Sequence, residues 1–142
     1  EPTTARKLRA DRFLPPTPIR VLVDMNGREV EHEAGGLRDR LEPVDSAVLK
    51  LPQVGELLPG LMERAREIAT GRGPAIAAAA RERMRAELEP VVARLVELAQ
   101  VNPAVDVEEI DAARGELAAL DEGLRGVRVR LDGLRLILVA AE

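Results

Sequence analysis

The sequence predicts an α+β fold, in which a small antiparallel sheet carries a long antiparallel helical hairpin. Apolar residues recur at steps of three and four through two long stretches, 74–100 and 107–126, and this spacing is typical of amphipathic helices. Near both ends of the chain, apolar and polar residues instead alternate with the period of two that is typical of a β-strand. The length of 142 residues favours one domain, 1–142, and because Phe13 is the only aromatic residue, its core must consist of aliphatic side chains.

The N-terminal part of the sequence predicts a linker followed by a β-hairpin. Residues 1–12 are charged and have no clear period, which indicates a linker, and the three prolines of "FLPPTP" exclude a helix directly after it. Asn26-Gly27 accepts the positive φ angles of a type I′ turn. Residues 19–24 and 28–31 are therefore predicted to pair as antiparallel strands around this turn.

Residues 32–53 are weakly patterned and predict a connection that contains one helical turn. From Val54 the apolar spacing changes, and residues 54–70 are predicted to form a short amphipathic helix. The sequence "GRGP" is then expected to break that helix, because glycine and proline are the poorest helix formers. Pro74 is well placed at the first position of a new helix.

The helical hairpin is predicted over 74–100 and 107–126. Pro90 lies inside its first helix, where a kink or a missing hydrogen bond is expected. Asn102-Pro103 ends that helix, and Asp106 is a good N-cap for the second helix, with acidic residues in the first turn that suit the helix dipole. Because the connection is short, the two helices are predicted to pack antiparallel.

The closing stretch "VRVRLDGLRLILV" (127–139) has three interpretations: a hairpin at Asp132-Gly133, a continuation of the helix, or one long strand. Gly126 directly after Arg125 favours a helix end, and the alternation that follows favours a strand. The residues of "LRLILV" are apolar on both faces, as in a central strand. One long strand over 127–139 that pairs with 19–24 would supply the third strand that a two-stranded hairpin needs.

Composition and charge argue against several classes of function. The net charge of −4, with both signs interspersed, and the scarcity of aromatic residues argue against nucleic acid as a direct partner. The absence of cysteine excludes disulfides and thiolate chemistry, and no apolar run approaches the ~20 residues that a membrane span needs. The chain starts at Glu1 instead of Met, without a signal-peptide pattern, so we expect a module excised from a larger protein.

No pattern of residues predicts a catalytic, metal or cofactor site. His32 is the only histidine and has no second histidine or cysteine with which to share a metal, so it is expected on the surface. "GRGP" lacks the spacing and the lysine of a phosphate-binding loop. The pair Glu108-Glu109 is explained by its place at a helix start. Arginines 81, 83 and 85 alternate with glutamates and are expected to form a solvated face, with contact to an acidic partner as the alternative.

Two blocks of the sequence resemble the C-terminal region of RapA, the family of bacterial RNA-polymerase-associated ATPases of the Swi2/Snf2 class. The first block is "RFLPPTPIRVLVDMNG" (12–27). The second extends from Ala86 to Val139, and within it "VNPAVDVEEI" and "RLDGLRLILV" are the most recognisable parts. The family usually has alanine at the position of Gly133. Because alanine is a poor turn residue, this difference argues against the hairpin at Asp132-Gly133 and favours the long strand.

The resemblance implies a C-terminal module of an ATPase that recycles RNA polymerase, with ATP and Mg²⁺ bound by the parent's motor and not by this chain. The module would be non-catalytic, bacterial and cytoplasmic, associated with the nucleoid, and would pack on the motor or contact the RNA polymerase core. DNA or RNA would be met only through the full-length parent, and no membrane is implied. The expected contact residues lie at the connection between the hairpin helices: Asn102, Pro103 and Glu108.

The heptad-like spacing alone supports an alternative function. A stand-alone helical hairpin with apolar residues at a and d positions is typical of modules for protein interaction or oligomerisation. Such a module is expected to form a dimer or a larger assembly, whereas the RapA-like module tolerates a monomer.

Overall fold

The computed structural model describes residues 9–30 and 41–139, and these residues are mostly helical. Two long helices dominate: α1 over Pro52–Val101 and α2 over Val107–Arg125. Two short 3-10 helices precede them, Ala10–Arg12 and Ser46–Lys50. The second of these confirms the helical turn that was predicted within 32–53.

The predicted sheet is wrong, and the fold class is helical instead of α+β. The described residues contain no β-strand, and their only bridge is an isolated antiparallel one between Val23 and Glu29. Residues 127–139 have no regular secondary structure, so the expected third strand is missing. Because a two-stranded ribbon is marginal by itself, the described residues of the two predicted strands, 19–24 and 28–30, do not develop into strands around that bridge. Residues 1–8 of the predicted linker, Glu31 and His32 lie outside the described residues.

The turn near Asn26-Gly27 forms, but it is not of type I′. Gly27 has a φ of 74°, whereas the φ of Asn26 is not positive, as a type I′ turn would require. The Gly27 amide donates to the Asp24 carbonyl at 2.9 Å, so the turn spans residues 24–27. Asp24 Oδ1 accepts from the amides of Arg28 and Asn26, at 2.8 and 2.9 Å. These bonds, chiefly the one from Arg28, lower the pKa of the Asp24 carboxyl.

The predicted helices 54–70 and 74–100 are one continuous helix, α1, so the expected break at "GRGP" is wrong. Pro74 removes one backbone hydrogen bond from the helix interior, at a cost of about 3 kcal/mol. A break would instead create two new helix ends, each with four backbone groups that lose their partners. Continuing through Pro74 therefore costs less than stopping. Pro52 is the first helical residue, where the missing N–H is tolerated.

The second helix of the hairpin is confirmed with nearly the predicted bounds. Asp106 is its N-cap, with an extended backbone and a side-chain Oδ1 that accepts from the Glu108 amide at 3.1 Å. At the other end the Gly126 amide donates to the Glu122 carbonyl at 3.1 Å. The helix stops there, so the prediction that it ends near Gly126 is also confirmed.

The described residues fall into two compact units, and the apolar core lies in the first, which holds residues 9–18 and 72–128. Helices α1 and α2 meet in this core. Since only residues 102–106 separate them, the helices run antiparallel, as predicted. Five buried side chains form the core, and four partly buried ones surround it: Phe13, Ala80, Met84, Leu120 and Leu124, then Ala10, Leu14, Leu88 and Leu117.

The second unit holds residues 19–30, 41–71 and 129–139 among those described, and none of these is buried. Its turn is tied to α1 by Arg64, whose Nε donates to the Gly27 carbonyl at 3.3 Å. Several large apolar side chains of the closing segment are exposed, Val139 most of all. The described part of this unit therefore lacks the apolar core that the predicted sheet was expected to build.

Met84→Ala should destabilise the chain by about 2–5 kcal/mol, because the removed side chain is fully buried and leaves a cavity. Urea denaturation followed by circular dichroism measures the change. Val91→Ala on the same helix is the matched control, since Val91 is 53% exposed and its loss should change the stability by no more than about 0.5 kcal/mol. Equal losses of unfolding free energy in the two variants would contradict the placement of Met84 in the core.

Candidate protein-interaction surface

One buried carboxylate joins the two helices of the hairpin. Asp121 on α2 is 7% exposed and accepts a bidentate pair from Arg81 on α1, from Nε at 3.0 Å and from Nη2 at 3.1 Å. Arg85, one turn further along α1, donates to Oδ1 of Asp121 at 2.9 Å. Arg125 on α2 approaches Oδ2 to 2.7 Å. Three guanidinium groups thus surround one carboxylate.

The arginines shift the pKa values of the cluster. The hydrogen bond from Arg81, followed by the charges of Arg125, Arg81 and Arg85, lowers the pKa of Asp121, although burial acts in the opposite direction. The same hydrogen bond raises the pKa of Arg81. Both partners are therefore ionised at neutral pH.

The N-terminal segment is anchored to the same hairpin through Phe13. Its ring is buried in the core, and its carbonyl accepts from Arg83 Nη2 at 3.0 Å. The guanidinium carbon of Arg12 lies 5.3 Å from the ring centroid, within the range of a cation–π contact, and Arg12 also pairs with Glu87 on α1. These contacts hold residues 12 and 13 against α1.

The connection between the helices, residues 102–106, is organised by Asn102. The Asn102 amide donates to the Leu98 carbonyl at 2.8 Å, and its own carbonyl accepts from the Val105 amide at 3.1 Å. Its side-chain Oδ1 accepts from the Ala104 amide at 3.0 Å. The connection is therefore a hydrogen-bonded turn with a defined backbone.

Large apolar side chains are exposed on both sides of this connection. Val101, the last residue of α1, is 80% exposed, and Val107, the first residue of α2, is 68% exposed. Leu98 and Pro103 are exposed beside them. We call these four residues (Leu98, Val101, Pro103 and Val107) the hairpin tip. A group of exposed apolar side chains is typical of a protein-interaction site.

A shallow groove on one face of α1 adjoins the hairpin tip, and it carries two charged residues, Arg94 and Glu97, besides apolar ones. Its lining residues recur at steps of three and four, so they share one face of the helix over three turns: Pro90, Ala93, Arg94, Glu97, Leu98 and Val101. Two of them, Leu98 and Val101, belong to the hairpin tip. The groove therefore extends along α1 to the tip, and the tip lies at the far end of the hairpin from Asp121.

The predicted contact residues all lie at this end of the hairpin. Asn102 and Pro103 belong to the connection, Glu108 lies in the first turn of α2, and all three are exposed. Asn102 has a structural part as well, because it makes the hydrogen bonds of the turn. Contact of these residues with a partner stays a prediction.

Metal-binding and membrane-spanning features are absent from residues 9–30 and 41–139. No three residues of the types His, Cys, Asp and Glu are grouped there to hold a metal ion. No helix in these ranges combines the length and the apolar character needed to cross a membrane.

The residues Asp121, Arg81, Arg85 and Arg125, here called the Asp121 cluster, are the site feature that the sequence did not predict. The expectation of a wholly solvated arginine face is wrong, because Arg81 and Arg85 bind Asp121 and Arg83 binds the Phe13 carbonyl. One signal was present: Arg81 and Arg85 are four residues apart and share a helix face, and Asp121 follows the core residue Leu120. Pairing them required knowledge of which faces of the two helices meet.

Comparison with known proteins identifies one family. The sequence model of the family described as RNA polymerase recycling family C-terminal, RapA_C, matches residues 1–139, which is essentially the whole chain. No solved structure matches the chain.

Asp121→Asn should destabilise the chain at neutral pH, because asparagine leaves three arginines without their charged partner. The difference in stability between the wild type and this variant should become smaller as the pH falls. A carboxyl whose pKa is lowered by folding stabilises the folded state above its unfolded pKa of about 3.9, and this contribution disappears as the pH falls through the folded value. Urea midpoints of the wild type and the variant, measured from neutral pH downwards, should therefore converge.

Asp111→Asn is the control for this experiment. Asp111 is also on α2, but it is exposed, and its partner Arg114 is 3.7 Å away on the surface. Its replacement should change the urea midpoint little at any pH. If the urea midpoints of the Asp121 and Asp111 variants depended on pH in the same way, Asp121 would not stabilise the fold through its arginines.

Proposed function

We infer that this chain is a non-catalytic module of an RNA-polymerase-associated ATPase, because it belongs to the C-terminal family of RNA polymerase recycling proteins. The observation that carries this proposal is the family match over residues 1–139. In this proposal, ATP and Mg²⁺ belong to the motor of the parent protein. The module contacts the RNA polymerase core or packs on the motor, and so regulates the ATPase of a parent protein that couples ATP hydrolysis to recycling of the polymerase.

The helical hairpin supports this proposal by offering a means of contact. Its helices are fixed to each other by the apolar core and by Asp121, and its connection is hydrogen-bonded. The hairpin tip presents apolar side chains to solvent at the other end. A surface of this kind, on a preorganised arm, loses little conformational entropy when it binds a larger partner.

We place the contact at Asn102, Pro103 and Glu108. Pro103 adds an exposed apolar ring to the tip, and Glu108 adds a charge beside it. The parent would act in the bacterial cytoplasm, associated with the nucleoid, and would meet DNA or RNA through its other regions.

A second candidate function is self-association through the same apolar side chains. The observation that favours it is the exposure of Val101 and Val107, together with the exposed residues of the segment 127–139. A stand-alone oligomerisation module would cover these side chains with a second copy of the chain. The mass of the chain in solution distinguishes the two functions.

The chain should bind the purified RNA polymerase core, the ATPase motor of its parent protein, or both, and should remain a monomer of 15.4 kDa. Biolayer interferometry with the immobilised chain measures the binding, and light scattering measures the mass. A stable dimer that binds neither protein would support self-association instead.

Glu108→Lys should weaken this binding by about tenfold, since the change reverses a charge within the proposed contact. Glu116→Lys is the matched control, because Glu116 is also an exposed residue of α2 but lies two turns away from the tip. Undiminished binding by the Glu108 variant would count against the tip as the contact.

A further inference from the structure

The hairpin tip lies in a stretch of the chain whose charge has only one sign. Residues 95–113 span the end of α1, the connection and the start of α2, and they contain no Lys or Arg. They contain five acidic residues: Glu97, Asp106, Glu108, Glu109 and Asp111. Of the 25 acidic residues in the chain, these five leave 20 elsewhere, against 21 basic ones. The negative net charge of the chain therefore resides in this stretch.

Helix capping accounts for only some of these carboxylates. Asp106 is the N-cap of α2, and Glu108 and Glu109 lie in its first turn, where the helix dipole favours negative charge. Glu97 lies instead in the last turns of α1, where the dipole disfavours a carboxylate, and it lines the groove three residues after Arg94. The helix dipole therefore does not explain an acidic residue at that position.

We propose that the hairpin tip and its groove dock a basic, apolar segment of the RNA polymerase core. Apolar side chains of that segment would pack on Leu98, Val101 and Val107, and its lysines or arginines would face the surrounding carboxylates. The inference rests on the proposed function and adds the chemistry of the partner. Apolar anchors of this kind supply most of the affinity of an interface, and the complementary charges raise the association rate and fix the orientation.

The charge of the tip decides among the classes of occupant. Residues 95–113 hold five carboxylates and no basic residue, while the two arginines that flank them, Arg94 in the groove and Arg114 beside Asp111, leave the surface with an excess of negative charge. Nucleic acid and anionic membrane surfaces are repelled by this excess. A second copy of the chain, related by a two-fold axis through the tip, would bring identical negative charges together. A basic protein surface is attracted by the charges and covers the apolar side chains as well.

The charge is tested with neutral variants and a salt series. Binding of the whole chain to the purified RNA polymerase core should weaken as KCl is raised. The triple variant Glu97→Gln, Glu109→Gln, Asp111→Asn should bind about tenfold more weakly at low salt and show a flatter salt dependence. The control variant Glu56→Gln, Glu89→Gln, Glu116→Gln removes the same number of exposed charges elsewhere on the helices and should bind as the wild type does.

The apolar contact is tested separately. Val101→Ser with Val107→Ser should weaken binding to the polymerase core by about tenfold or more and leave the salt dependence unchanged. Val44→Ser is the control, since Val44 is 62% exposed and lies outside the hairpin. The charge variants and the apolar variants change different residues. If circular dichroism shows that one set has lost helix content, the binding of the other set still tests the docking surface.

The outcomes separate this inference from the proposed function. A wild-type chain that binds neither the polymerase core nor the motor overturns both. The docking surface alone is overturned if the wild-type chain binds the core but this binding changes neither with salt nor with either set of tip variants. It is also overturned if the chain binds only the motor. Salt-sensitive binding to the core that both sets of tip variants weaken supports the inference.

Discussion

The arrangement of the hairpin depends on one short stretch of α1, residues 80–85, that carries two kinds of contact side by side. Ala80 and Met84, four residues apart, face the apolar core, and Arg81 and Arg85, also four apart, face Asp121. The apolar pair supplies burial without a preferred register, because aliphatic side chains pack in many ways. The arginine pair supplies the register, because a bidentate bond to a buried carboxylate has one geometry.

This division leaves Val101 and Val107, at the far end of the hairpin, without a packing role. The core cluster and the ion pairs of Asp121 lie near residues 80–85 and 120–125, and Ile110, in the first turn of α2, is buried as well. Val101 and Val107 add little to the stability of the chain, since both are mostly exposed. Side chains that do not stabilise the fold are free to be selected for contact with another molecule. A fixed base and an unburied tip are therefore compatible with an arm that recognises a partner.

Local signals in the sequence were sufficient for α2 and insufficient for the sheet. Asp106 and Gly126 mark the ends of α2 through contacts with their immediate neighbours, so its bounds were predictable. A strand requires a partner that is distant in the sequence, and the alternation in 127–139 contains no information about that partner. The same limit applies to Asp121, whose arginines lie 36 and 40 residues away. At "GRGP" the local signal was real, but the cost of two additional helix ends outweighed it.

The carboxylates of the hairpin show how surroundings decide the role of one residue type. Asp121 has three arginines of its own chain around it, so its charge is neutralised internally and contributes to structure. The acidic residues of 95–113 have no Lys or Arg within that stretch, although Arg114 next to it pairs with Asp111, and the remainder of the chain has nearly balanced charge. Most of these carboxylates are exposed and have no buried internal partner of the kind that Asp121 has. Their charge is therefore open to a basic partner, and complementary charge across an interface raises the association rate and fixes the orientation of the contact.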